Sequence, residues 1–216
     1  MSERPRGALS NPGEGEGPPE PRGVRGPDRA GSAGASPSQA DAAHWGDRLR
    51  RALREARSAV EAEAALREVD VRQLATTLIV VAASPDMVAA AQVGDGAAVV
   101  RDADGNLFAL TAPQQGEYLN ETTFLISPDA LDTAQVQTWR GRVGGVAAFS
   151  DGLQMVALKM PEGAPHAPFF APLFRFAAQC EDGAAATEQL VSFLRSPRIA
   201  ERTDDDRTLL LAARGR

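Results

Sequence analysis

The first strong periodic pattern in the chain is a helical one. From Asp41 to about Val69, apolar residues recur three and four positions apart, at Trp45, Leu49, Leu53, Ala56, Val60 and Ala64. This spacing predicts a long amphipathic helix that buries one stripe, with Leu66 at the edge of that stripe. The arginines of the segment lie off the stripe and mix with acids, which is typical of a solvated helix face.

The middle of the chain has a different pattern, in which short apolar runs alternate with turn residues. These runs predict strands at residues 76–82, 87–93, 97–100, 107–110, 122–126, 146–149 and 155–158. The segment 102–106, with the sequence Asp-Ala-Asp-Gly-Asn, is a hairpin signal between two of them. Because the strands follow one another so closely, antiparallel sheets are favoured over βαβ units.

The last third of the chain predicts two apolar helices, over residues 169–176 and 184–194, and a final strand over 208–213. A polar loop precedes that strand. The order of elements is therefore one helix, many strands, two helices and one strand. This order predicts an α+β fold in which helices pack on antiparallel sheet.

Residues 1–40 have a composition unlike the rest of the chain. They contain 7 of the 15 prolines and 8 of the 20 glycines, and their five arginines balance five acids. Such a segment buries too little apolar surface to offset the entropy of ordering it. We predict a disordered Gly/Pro-rich tail over residues 1–40 and one folded domain over residues 41–216.

Charge and cysteine content narrow the classes of partner and compartment. The net charge of −6 disfavours a nucleic-acid or anionic-membrane partner. The longest apolar run, 78–83, is far too short to span a bilayer, and no signal peptide opens the chain. Cys180 is the single cysteine, so no internal disulfide forms and a cytoplasmic location is expected.

Three acidic turns adjoin predicted strands and are the candidates for chemistry. They contain Asp95, Asp151 and Asp205, and glycines accompany the first two. Each turn alone is ordinary, since Asp-Gly is a very common turn pair. If the three converge at one sheet edge, their carboxylates repel unless a cation or a proton joins them. Hard oxygen ligands of this kind suit Mg²⁺ or Mn²⁺.

In order and with their flanking residues, these turns resemble successive motifs of the protein phosphatase 2C family, in its bacterial branch. The similarity covers roughly residues 45–214 and rests on the segments 75–78, 91–96, 115–124, 149–155, 166–170 and 204–209. The resemblance implies a four-layer α-β-β-α sandwich, incomplete at its N-terminus. It also implies a two-metal centre holding Mg²⁺ or Mn²⁺ that activates water against phosphoserine or phosphothreonine in proteins. A cognate Ser/Thr kinase is an expected partner.

Carried over by position, the resemblance gives each candidate a role. Asp151 and Asp205 would be direct metal ligands and the catalytic acids, and Asp95 would sit beside the centre. Asp28 would be a bridging ligand, although Arg29 follows it where the family has glycine. Three further residues would support the site: Gly152, Gly94 and Thr77.

The N-terminal elements of the family are not found in residues 1–44, which leaves two interpretations open. The chain is either a phosphoprotein phosphatase or a catalytically impaired pseudophosphatase that acts as a protein-binding module. Met155 also stands where many relatives have an acid for a third metal, so a third metal is not expected.

Overall fold

The computed structural model describes residues 39–114 and 122–215, with side chains from His44 onward. Its helices are Gln39–Leu66 (α1), Ala130–Thr133 (α2), Gln154–Ala157 (α3), Ala167–Gln179 (α4), Gly183–Leu194 (α5) and Pro197–Ala200 (α6). Its strands are Leu78–Ala83 (β1), Met87–Val93 (β2), Ala97–Asp102 (β3), Leu107–Thr111 (β4), Gln135–Arg140 (β5), Val143–Phe149 (β6), Leu158–Lys159 (β7), Ala164–Pro165 (β8) and Leu209–Ala213 (β9).

Two antiparallel sheets form the centre of the fold. One has three strands in the order β1-β2-β5, and the other has four in the order β4-β3-β6-β9. Strands β7 and β8 form a separate short ribbon. Helix α1 packs on the three-stranded sheet, and α4 packs on the four-stranded sheet.

Three apolar clusters fill the three spaces between these layers. One lies between α1 and β2, and includes Leu49 and Leu53. A second lies between the sheets and includes Val88 and Val100, and a third lies under α4 and includes Phe149 and Phe170. The layer order is therefore α-β-β-α, which confirms the fold predicted from the sequence.

Strand β2 is apolar at every position except Gln92, and its burial explains this composition. All seven of its residues are buried. Ala89 and Ala91 face α1, whereas Val88 and Ala90 face the other sheet, because successive side chains of a strand point to opposite faces. A strand covered on both faces has no polar face to display.

Strands β1 and β9 are edge strands within the described residues, and each is incompletely covered. Every residue of β1 from Leu78 to Ala82 is half-buried. On β9, Leu210 shares a face with Ala148 of β6, and its side chain is 56% exposed. An apolar cleft of about 230 Å³ opens beside β9, lined by Pro85, Val146 and Ala212. The space between the sheets is thus open along this side.

The predicted strand start at Thr76 and Thr77 is wrong, because β1 begins at Leu78. The apolar run that follows them does report burial, because β1 has α1 on one face and the other sheet on the opposite face. Side-chain pattern reports the faces of a strand and carries no information about its hydrogen-bonded edges.

Two predicted strands are also wrong, and two strands, β5 and the two-residue β8, were missed. Residues 122–126 form no strand, and Leu125 packs into the apolar cluster between α1 and β2. Residues 154–157 form α3 because Leu153 and Ala157, four apart, are buried together. Strand β5 was missed because it is an edge strand with the polar sequence Gln-Val-Gln-Thr-Trp-Arg.

The predicted first helix is confirmed and begins at Gln39, two residues before the expected start. The apolar stripe of α1 is buried, as predicted, and it packs into the cluster between α1 and β2. Leu66, at the end of the helix, is 79% exposed. Apart from the helical Gln39 and Ala40, the predicted tail lies outside the described residues. No helix in the described ranges combines the length and apolarity needed to cross a bilayer.

Candidate active site

The three candidate acids lie at the same end of the four-stranded sheet. Asp95 precedes β3, Asp151 follows β6 and Asp205 precedes β9. These strands are neighbours in the order β3-β6-β9, and each pair is antiparallel. The start of β3, the end of β6 and the start of β9 therefore meet at one edge, which is the arrangement that would bring the three acids together.

The pKa of the Asp151 carboxyl is raised above its ordinary value by burial and by the neighbouring acids. Burial is the largest cause, and the negative charge of Asp95 is the next. The charge of Asp205 and a side-chain hydrogen bond between the two carboxyl groups act in the same direction. The backbone N–H of Gly152 opposes them by stabilising the carboxylate. A cation placed here would relieve this repulsion.

Asp151 and Asp205 are held in the same way. The backbone N–H of Gly152 donates to Oδ1 of Asp151 at 2.8 Å, and the backbone N–H of Asp206 donates to Oδ1 of Asp205 at 2.8 Å. In each case the bond comes from the next residue in the chain and fixes one carboxylate oxygen. The second oxygen of each carboxylate is not used by that bond.

Ser150 and Gly152 join the Asp151 turn to the Asp205 loop. The Ser150 hydroxyl donates to the carbonyl oxygen of Asp206 at 3.1 Å and accepts from the backbone N–H of Thr208 at 3.0 Å. A β-carbon on Gly152 would overlap the Asp206 carbonyl oxygen. Glycine at 152 therefore permits the two loops to lie in contact.

Asp95 is placed by contacts that differ from those of the other two acids. The Thr122 hydroxyl donates to its Oδ2 at 2.6 Å, and Nε2 of Gln154 donates to its backbone carbonyl at 2.6 Å. Gly94, beside it, has φ +109°, and a β-carbon there would overlap the Thr77 side chain. Thr77 and Gly94 thus shape the Asp95 turn together.

A buried glutamine, Gln92, supports this turn and was missed as a site residue. Its side chain is fully buried. Its Nε2 donates to the carbonyl oxygens of Gly94, Gly96 and Ala112, at 3.0, 2.7 and 3.1 Å, and its Oε1 accepts from the Thr111 hydroxyl. A single polar residue in an otherwise apolar strand, directly before Gly-Asp-Gly, was the signal that could have identified it.

Arg207 is a second residue that sequence reasoning left without a role. Its Cγ lies 3.4 Å from where a Gly152 β-carbon would stand. Its Nη1 is buried and finds no hydrogen-bond acceptor among the described residues. A buried donor of this kind calls for water or an anion as its partner.

The described acids fit part of a metal centre. Two carboxylates in contact and a third nearby are the oxygen donors that Mg²⁺ and Mn²⁺ prefer. Across residues 44–114 and 122–215, however, no group of three His, Cys, Asp or Glu side chains is arranged to hold a metal ion. Asp28, the predicted bridging ligand, lies outside the described residues.

The family model for Protein phosphatase 2C matches residues 29–195 of this chain. The chain belongs to the protein phosphatase 2C family. The matched range contains Asp95 and Asp151 and ends before Asp205. Members of this family depend on bound metal, which agrees with the acidic composition of the site.

A curated relative supports this membership, and two solved structures share the fold. Serine/threonine-protein phosphatase 3 of Escherichia coli (strain K12) is 44% identical over 153 residues, a match that covers 70% of this chain and 60% of that protein. The chain therefore spans well under two thirds of that curated relative. The crystal structure of a bacterial serine phosphatase superposes with a TM-score of 0.51 at 16% identity, covering 83% of this chain and 72% of the other. A point variant of a bacterial serine phosphatase gives 0.52 at 17% identity, with the same coverage. These two structures share the fold.

Proposed function

We propose that this protein is a phosphoprotein phosphatase that hydrolyses phosphate monoesters of serine and threonine with metal-activated water. The observation that carries the proposal is the convergence of Asp151 with Asp205 and Asp95 at one sheet edge, in a member of this family. The similarity to a named Ser/Thr phosphatase favours this proposal over a purely binding module.

The chain's own residues would divide the work as follows. Asp151 and Asp205, each with one oxygen fixed by a backbone N–H, would present their remaining oxygens as direct metal ligands. Asp95, held by Thr122, would act at longer range through water or at a weaker extra metal. Asp28 would supply the bridging ligand. Gly152, Gly94 and Thr77 would keep the loops in register.

The metals would be Mg²⁺ or Mn²⁺, in a two-metal centre. When bound, they would lower the pKa of a coordinated water and neutralise phosphoryl oxygens during in-line displacement. The protein's part is to hold the carboxylates close before the metal arrives, at the electrostatic cost seen in the raised pKa of Asp151. A bound cation would relieve the part of that cost that comes from the neighbouring acids.

Partner and compartment follow as further proposals. The substrates would be phosphoserine and phosphothreonine segments of proteins, and a cognate Ser/Thr kinase would supply them. A cytoplasmic location agrees with the single, exposed cysteine, Cys180.

Turnover of p-nitrophenyl phosphate and of a phosphothreonine peptide by the full chain tests the proposal. We expect hydrolysis that requires Mn²⁺ or Mg²⁺, stops with EDTA, and falls to background in Asp151→Asn and in Asp205→Asn. Asp204→Asn, from the same loop, is the matched control and should keep activity. Asp28→Asn tests the bridging role separately.

The opposite result has a defined meaning. If the pure, folded chain binds Mn²⁺ but hydrolyses neither substrate at any pH, the catalytic proposal is wrong and the pseudophosphatase alternative stands. Loss of activity in Asp204→Asn to the same degree as in Asp205→Asn would contradict the roles given to the individual acids.

A further inference from the structure

A cluster of four arginines lies at the end of the four-stranded sheet opposite the acids. Each of the three strands β3, β6 and β9 has an acid near one end and an arginine at or beyond the other: Asp95 and Arg101, Asp151 and Arg142, Asp205 and Arg214. Arg175, on α4, joins the three arginines. Strands of five to seven residues rise about 3.3 Å per residue, so the two clusters are roughly 20 Å apart.

The four arginines line one cleft of about 740 Å³, which we name the arginine cleft. They reach it from four separate segments: the β3–β4 hairpin, the β5–β6 turn, α4 and the residue after β9. No acid and no lysine is among the described residues that line it. The cleft therefore concentrates four positive charges on a chain whose net charge is −6.

The charges of the arginine cleft are not neutralised by the described part of the protein. The ion pairs in the described part of the protein join Arg57 to Glu61 and Arg67 to Glu63, and both pairs lie on α1, outside the cleft. Asp102 is next to Arg101 in sequence, but its oxygens accept from the backbone N–H groups of Asp104 and Asn106 and from the Asn106 side chain, so it serves its own hairpin. Four like charges facing one space favour the entry of an anion.

The shape and lining of the cleft indicate the kind of anion. Its volume lies within the range of small-molecule sites. One wall is formed by small residues of α4, Ala167, Ala171 and Ala178, which leave room beside Arg175. Arginine presents a planar fork that pairs bidentately with phosphate, so four of them suit a ligand with several phosphate oxygens.

We infer that the arginine cleft is a second ligand site, separate from the metal centre, that binds a small organic anion carrying two or more phosphate groups. A single phosphate can be gripped by one or two guanidinium groups, whereas charges from four segments of the chain need a ligand that extends across the cleft. The inference does not depend on the proposed phosphatase activity.

Isothermal titration of the full chain in EDTA tests this inference, because EDTA removes metal-dependent anion binding at the acidic site. The probes are inorganic triphosphate, ADP, inorganic phosphate and adenosine. We expect one site for triphosphate and for ADP that weakens with added salt, much weaker binding of inorganic phosphate, and none of adenosine.

Variants locate the site. Arg142→Gln and Arg175→Gln should each weaken ADP binding by about tenfold or more. Arg142→Lys, which keeps the charge and removes the fork, should fall between wild type and Arg142→Gln. Arg54→Gln, an exposed arginine on α1, and Asp151→Asn are the controls and should bind ADP as the wild type does.

Several outcomes would overturn the inference. They are no saturable binding of triphosphate or ADP, equal affinity for inorganic phosphate and triphosphate, or equal weakening by Arg54→Gln and Arg142→Gln. Binding of an acidic peptide with none of either polyphosphate would also overturn it. Unchanged thermal unfolding of each variant shows that lost binding is not lost folding.

Discussion

The backbone at Gly152 lies against the carbonyl group of Asp206, so closely that a β-carbon at 152 would overlap the oxygen and stand 3.0 Å from the carbonyl carbon. The atom that would be displaced is backbone, and backbone cannot rotate away as a flexible side chain can. Two loops separated by more than fifty residues in sequence can therefore lie in contact only because residue 152 has no β-carbon. The contact brings Asp151 and Asp205 to one place.

Gly152→Ala should destabilise the protein by about 1–3 kcal/mol, as overpacking typically does. It should also reduce metal-dependent turnover, because the Asp205 loop must move to admit the methyl group. Chemical denaturation and p-nitrophenyl phosphate hydrolysis measure the two effects. Gly183→Ala is the matched control, since a β-carbon there meets nothing within 4 Å. Equal stability and equal turnover of the two variants would show that the contact between Gly152 and Asp206 does not position the Asp205 loop.

Replacement of Gln92 by leucine should cost about 3 kcal/mol or more in the free energy of unfolding. The Gly94 carbonyl keeps the N–H of Gln114 as a donor, and the Ala112 carbonyl keeps Nε2 of Gln135. The change removes the Gln92 partner from the Gly96 carbonyl and from the Thr111 hydroxyl, and an unsatisfied buried group typically costs about 1–3 kcal/mol. Gln137→Leu, at an exposed position of β5, should stay within about 0.5 kcal/mol of wild type. A Gln92→Leu protein as stable as wild type would mean that the turn does not need this network.

Asp151→Asn should raise the melting temperature of the metal-free protein at pH 7. The pKa of Asp151 is raised in the folded state, so its contribution favours folding below the unfolded value of about 3.9 and is lost as pH rises through the folded pKa. At neutral pH the charge opposes folding, and asparagine removes it while keeping an acceptor for the Gly152 N–H. The expected gain is measured by thermal unfolding in EDTA.

The same variant should lose the stabilisation that metal gives. Mn²⁺ that binds only the folded state stabilises it by about 2.7 kcal/mol when its concentration is about 100 times Kd. We expect this increase in wild type and little or none in Asp151→Asn. If Mn²⁺ raises the melting temperature of both proteins equally, Asp151 is not a metal ligand.

Asp102 should show the opposite dependence on pH. Hydrogen bonding to Asn106 holds the pKa of Asp102 below its usual value, with further lowering by backbone N–H groups of the hairpin. A lowered pKa contributes stability above the unfolded pKa of about 3.9, and that stability is lost as pH falls through the folded pKa. Asp102→Asn should therefore be less stable than wild type at pH 7, and the difference should shrink toward pH 3.

The sequence predicted the layers well because burial leaves a local trace, whereas the roles given to the acids stay a prediction. The stripe of α1 and the buried run of β2 are periodic patterns that follow directly from which side chains are covered. The acidic turns could be placed at one edge because antiparallel neighbours alternate in direction. What made the site specific was the resemblance of several motifs in order, since each Asp-Gly pair alone is common.

The features that the sequence could not give are those created by long-range contact. The residues around Leu125 predict a strand, but Leu125 lies in a turn and packs into the apolar cluster between α1 and β2. The fit of Gly152 to Asp206 and the arginine cleft depend on residues far apart in the chain. The pattern of apolar and polar side chains predicts which residues are buried. It does not predict which backbone or charged groups from distant parts of the chain lie beside them.

The one-sided attachment of β9 has a consequence for motion. Within the described residues, this strand is hydrogen-bonded along one edge only, to β6. One of its two faces packs against α4. Detaching it would break one ladder and leave the rest of the sheet paired, so this opening costs less than global unfolding. Amide hydrogens of β9 should exchange sooner than those of β3 or β6. Each such opening would separate Asp205 from Asp151, so the proposed metal centre would lose one of its ligands through a local event that leaves the rest of the domain folded.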